Sequence, residues 1–253
     1  MGAPSPVLGI PDLDRLLAPS LPPGWMALAV GHSGASTSLI AKQFAQAGVG
    51  ETPVRFYTTY ERTEDVQAAF RDFGWSTDGI EIVNLAQEYY ERVLQRELAI
   101  ARTRERGLRF ADLGPSHGTG EGPSRTFNLT SRLVSDLAAL DGPFRLALDS
   151  LDFLLEVLEG ASVMAIARQV RYRAQSLGGR ALLVVQGEIH DAARIGLLQD
   201  LADIVVDFAV VPEGEAMGHV LTVRKVRNHP ELTRSLRVAA GASGFDLVNP
   251  STA

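Results

Sequence analysis

Residues 31–38 read G-H-S-G-A-S-T-S, a spacing of small residues suited to holding phosphate. The full phosphate-binding pattern is G-x-x-x-x-G-K-[ST]. Its backbone N–H groups cradle the phosphates, its lysine reaches the β- and γ-phosphates, and its last hydroxyl meets Mg²⁺. Here Gly31 opens the pattern and Ser38 closes it, but Ser36 stands for the second glycine and Thr37 for the lysine. Gly31, Gly34, Ala35, Ser36, Thr37 and Ser38 are therefore candidate nucleotide- or anion-binding residues, and Ser38 is a candidate Mg²⁺ ligand. On this segment alone a second reading stays open, because Gly/Ser-rich strand-to-helix turns are common in α/β proteins. Much further along, "RLALDSL" ends an apolar run on Asp149. A carboxylate at such a strand end is the usual second protein contact of a phosphate-bound Mg²⁺, which makes Asp149 the other candidate metal ligand.

Other chemistries find little support. There is no cysteine, which removes disulfides, thiolate metal sites and cysteine nucleophiles. The five histidines (His32, His117, His190, His219 and His229) are scattered without a paired metal spacing and read as isolated surface or loop residues. No G-x-S-x-G elbow occurs. The net charge of −6 argues against a protein that coats nucleic acid. No apolar run is long enough to span a bilayer, and the first residues lack a basic segment followed by an apolar one. The expectation is a cytoplasmic protein with no membrane partner.

The phosphate-like turn needs a strand before it and a helix after it. "MALAV" (26–30) is a continuous apolar run, as in a strand buried on both faces. "SLIAKQFAQAG" carries Leu39, Ile40, Phe44 and Ala47 at helical spacing, with Gly48 as a stop. Further strands are expected at 54–60, 80–85, 144–150 and 180–186, with helices at 61–75, near 129–140 and within 162–177. Residues 86–107 read as a solvated helix laced with ion pairs, and 112–126 as a Gly/Pro/Ser-rich loop. Four more strands follow, in 202–211, 219–227, 233–240 and 243–249. Strands alternating with helices imply a mainly parallel sheet covered on both faces, extended by antiparallel strands toward the C-terminus. No linker-like shift or internal repeat interrupts it, so a single α/β domain over 1–253 is expected.

The order of these motifs resembles the KaiC/RadA-type branch of RecA-like P-loop ATPases. "GIPDLDRLLAPSLPPGWMALAVGHSGASTSLIAKQF" is similar to the family's opening, from G-I-x-x-L-D-x-L-L to a helix ending in Q-F. "YTTYERTEDV" with "FGW", "LALDSL", and "TVRKVRNHP" resemble its later motifs, in family order over residues 9–248. The resemblance implies a RecA-like P-loop NTPase fold, and ATP with Mg²⁺ as the ligands if any cofactor binds. It also implies that Glu61, matching the first of two paired glutamates, activates water if the site is active; the second position is Arg62. Lys225 and Arg227 match residues that reach a neighbouring subunit's phosphate in oligomeric relatives.

The departures decide the expected function. Thr37 can offer one neutral hydroxyl in place of a charged lysine. Lys42 lies five residues on, about 7.5 Å along the helix and roughly 140° around it, and is not expected to substitute. The expectation is a degenerate, KaiC-like pseudo-ATPase acting by self-association or through a protein partner. The alternative is a weak oligomeric ATPase of the RadA-paralogue type, completed in trans and acting on DNA. The basic stretches 168–180 and 224–237 leave nucleic acid open. The loops expected to face it, 112–126 and 187–196, do not favour it: the second holds Glu188 and Asp191 against one arginine.

Overall fold

A computed structural model describes residues 6–106, 128–213 and 216–248. The sequence alternates β1 (Trp25–Gly31), α2 (Thr37–Gln46), β2 (Val54–Thr58), α3 (Thr63–Asp72), β3 (Ile80–Asn84) and α4 (Leu85–Arg106), after a short α1 (Pro11–Leu17). Next come α5 (Leu129–Ala138), β4 (Arg145–Asp149), α6 (Leu151–Val157), α7 (Gly160–Leu177), β5 (Arg180–Gln186) and α8 (Ala192–Leu201). Four strands close the chain: β6 (Ile204–Glu213), β7 (Ala216–Val226), β8 (Arg234–Gly241) and β9 (Gly244–Leu247).

The nine strands of the described residues join one sheet in the order β3-β2-β4-β5-β1-β6-β7-β8-β9. The pairings from β3 to β6 are parallel, and those from β6 to β9 are antiparallel. The expected mainly parallel sheet with an antiparallel extension is therefore the observed one. Alternation along the buried strands divides the core. Trp25, Ala27 and Ala29 of β1 join one apolar cluster with Ile40, Ala41 and Phe44 of α2. Met26, Leu28 and Val30 face the other, with Leu154 of α6 and Val163 and Ile166 of α7. The two alanines leave room for α2 to lie close against the sheet behind the phosphate-like turn.

Two helices depart from the expected pattern. Residues 151–157 form α6, whose N-cap Ser150 accepts from Asp152 N. Residues 192–196, expected in a loop, open α8, capped by Asp191 accepting from Ala193 N. A short polar side chain just before an apolar run is a helix-start signal, and both segments carry it. The expected loop at 112–126 lies outside the described residues. Among the described residues, no helix is long and apolar enough to cross a membrane.

Candidate functional site

Parallel strands end together, so residues distant in sequence meet at one edge. Gly31 at the end of β1 pairs in register with Gln186 at the end of β5, and Thr58 of β2 with Asp149 of β4. The crevice outside the carboxyl ends of parallel strands is where α/β folds bind ligands. A cavity of about 160 Å³ lies there, lined by Thr37, Ser38, Tyr60, Glu61, Asp149 and Gln186, among others.

The turn from β1 to α2 is built by residues that accept unusual backbone. Gly34 has φ +80°, which only glycine adopts at little cost. Ser36 also lies in the left-handed region, at φ 53° and ψ 40°, and its side chain does not cap the helix. Ala35 N donates to His32 O at 3.0 Å, closing the turn. Gly31 is required for space, because a Cβ there would stand 2.7 Å from Thr37 Cγ2 and 2.8 Å from Gln186 Oε1.

Thr37, in the lysine's position, is buried, and its hydroxyl accepts from Gln186 Nε2 at 3.0 Å. Ser38 Oγ lies 2.6 Å from Glu61 Oε1 and 2.6 Å from Asp149 Oδ2. A hydroxyl carries one proton and donates to one of them at a time. Burial raises the pKa of Asp149, opposed by the charge of Lys42 and the Ser38 hydrogen bond. Ser38, Glu61 and Asp149 thus come together from α2, the segment after β2 and the end of β4.

Lys42 has a place in the site that the sequence reading did not assign. Its spacing from Thr37 points it away, but from Ser38 it is i+4, on the same helix face. Its ammonium donates to Ser38 Oγ and to Glu61 Oε1, the latter at 2.8 Å, and the residue is only 3% exposed. Arg62 instead pairs with Asp65 on the surface. Sequence reasoning also missed Glu188, whose carboxylate accepts from Ser33 N at 3.3 Å and meets His32 Nδ1 at 3.0 Å, at the start of the turn. His190, read as isolated, meets Asp152 at 2.7 Å. Asp152 also accepts from Gln186 N and from the Ser150 hydroxyl.

The late cations lie elsewhere. Lys225 Nζ donates to the carbonyls of Gln199 and Asp200. Arg227 donates to Asp203 and to the carbonyls of Asp200, Leu201 and Ala202. Both close the C-terminal end of α8, where cations complement exposed carbonyls. In the basic stretches, Arg171 pairs with Asp203, Arg224 with Asp207 and Arg237 with Glu213.

Ser38 and Asp149 are the right residue types for Mg²⁺, but the arrangement does not fit it. The Lys42 ammonium is already bonded to the Ser38 oxygen that would meet the ion. Among the described residues no group of three or more His, Asp or Glu side chains is arranged to hold a metal.

A glycine-bearing turn between β1 and α2, with a carboxylate at the end of β4 in one mainly parallel sheet, defines a RecA-type P-loop ATPase fold. Residues 7–244 match the sequence model of the family described as "ATPase: KaiC". The chain belongs to that family. The structure is similar to that of the KaiC-like protein PH0186 from the hyperthermophilic archaeon Pyrococcus horikoshii OT3. The two share 19% identity, with a TM-score of 0.61, over 96% of this chain and 98% of that one. No curated protein sequence matches the chain.

Proposed function

We propose that this KaiC-family chain is a regulatory or assembly module with little or no ATP hydrolysis. The carrying observation is the fate of the two side chains that could supply the missing cation. Thr37 is neutral and bonded to Gln186, and Lys42 spends its ammonium on Ser38 and Glu61. Phosphoryl transfer relies on positioned charge around the γ-phosphate, and neither side chain is free to provide it. Glu61, the candidate base, is itself held in an ion pair with Lys42.

The single shared sheet and its two-sided core support one domain. Tyr90, Leu94 and Leu98 lie at i, i+4 and i+8 on α4 and are all exposed. Such a stripe suits burial against another copy or a protein partner, and the in-chain pairing of the basic stretches makes nucleic acid the lesser fit. A catalytic cation supplied in trans by Lys225 or Arg227 would require either residue to leave its bonds at the end of α8.

The test is ATP turnover by the purified chain beside its Asp149→Ala variant. Equal background rates are expected. Turnover typical of an ATPase, abolished by Asp149→Ala, overturns the proposal.

A further inference from the structure

The point where this fold would meet a divalent cation is the point that Lys42 fills. Ser38 Oγ, Glu61 Oε1 and Asp149 Oδ2 form a knot of oxygens, with the serine oxygen 2.6 Å from each carboxylate. The ammonium of Lys42 donates into it at Ser38 and Glu61. Its Nζ lies over the Phe56 ring, 6.0 Å from the centroid, and 3% exposure leaves it little alternative path to water. A lysine on a surface helix snorkels outward; this one turns inward onto Ser38 and Glu61.

Mg²⁺ demands near-octahedral oxygen ligands at about 2.0–2.1 Å and gives up its waters reluctantly. An ion on Ser38 Oγ would share that oxygen with a fixed ammonium, two cations within about 4 Å in a largely buried site, where repulsion is poorly screened. Expelling Lys42 would break its ion pair with Glu61 and uncover the packed Phe56 face.

We propose that Lys42 is the resident cation of this site, an internal replacement for the divalent ion. It offsets one of the two carboxylate charges, pairing with Glu61, and excludes Mg²⁺ and Mn²⁺. The consequence is a turn at the start of α2 whose ligand would be an anion without a metal. This deepens the reading of a non-hydrolysing site, but its test uses neither nucleotide nor turnover, so either reading can fail without the other.

The probe is Mn²⁺ alone, titrated into the nucleotide-free chain, with free Mn²⁺ read by electron paramagnetic resonance. Wild type is expected to leave the ion free. Lys42→Met, of similar length and uncharged, is expected to bind it at least ~10-fold more tightly, the lower bound for removing one positive charge beside a divalent one at this separation. Adding Asp149→Asn to Lys42→Met should abolish that gain. Circular dichroism checks that each variant folds, and Lys42→Gln serves if Lys42→Met does not. Wild type binding Mn²⁺ in a manner lost with Asp149→Asn overturns the proposal. So does a folded Lys42→Met or Lys42→Gln that binds no better than wild type.

Discussion

If the neutral residue at position 37 is the main defect, a two-residue change should bring ATP back. The perturbation is Ser36→Gly with Thr37→Lys, and each half has a magnitude. Ser36 sits at φ 53° and ψ 40°, a region that costs a residue with a Cβ about 1–2 kcal/mol. Glycine removes that cost, offset in part by the ~0.5–1 kcal/mol of extra backbone entropy it loses on folding. Ser36→Gly alone should therefore change stability by about 0–1.5 kcal/mol, toward stabilisation. Thr37→Lys gives up the Gln186 hydrogen bond, worth about 1 kcal/mol.

In return the lysine brings charge-assisted hydrogen bonds to phosphate of roughly 1.5–3 kcal/mol each. One at the lower end is about tenfold in affinity, and two of about 2 kcal/mol are close to a thousandfold, at ~1.4 kcal/mol per decade. Calorimetric titration with ATP reads the gain, and urea unfolding reads the stability of both variants. A folded double variant that shows no ATP binding would falsify the idea that the missing cation limits the site. The limit would then lie in the pocket itself, whose roughly 160 Å³ is small beside the ~300–1,000 Å³ of typical small-molecule sites.

Three further outcomes follow from the same geometry. Gln43, buried on α2, donates to the carbonyls of Gly9 and Phe245 and accepts from Phe245 N. Gln43→Ala leaves buried backbone groups unpaired, at roughly 1–3 kcal/mol each. Urea unfolding should show a loss of at least about 2 kcal/mol, and a loss under ~0.5 kcal/mol would refute this latch role. Crystals grown in high sulfate should hold a sulfate at residues 34–38, because an uncapped helix N-terminus carries about half a unit of positive charge; an empty turn with its N–H groups bonded internally would speak for a closed loop. Light scattering should return the same mass with and without ATP, whereas assembly driven by ATP and lost in Arg227→Ala would restore the reading of a cation supplied in trans.

Much of this arrangement was legible in the residues because it is written locally. The apolar runs of β1, β4 and β5 are long, bounded and buried on both faces, so periodicity and punctuation identify them. Ser38 and Asp149 were readable one by one, each as a polar residue at the edge of an element, and Glu61 only through the family resemblance. That they touch depends on β2 lying beside β4, with Thr58 opposite Asp149, a pairing of strands far apart in sequence that no local pattern specifies. The helices α6 and α8 carry start signals at Ser150 and Asp191 but are short: the sequence reading assigns no element to 151–157 and a loop to 192–196.

The place of Lys42 was missed for a different reason. Measured from Thr37, the residue it would replace in function, the lysine lies on the wrong face. Measured from Ser38, the residue it touches, it lies one turn along the same face. A helix does not return a side chain to the position it left, only to the neighbours at i+3 and i+4. A lysine at 42 therefore cannot reach the phosphates as one at 37 would. It can reach only the serine of the metal position and the acids around it. In the oxygens of Ser38 and Glu61 it meets groups that would otherwise face a metal and its activated water. On the reading proposed above, Thr37 leaves a phosphate without its cation, and Lys42 places one at the metal position instead.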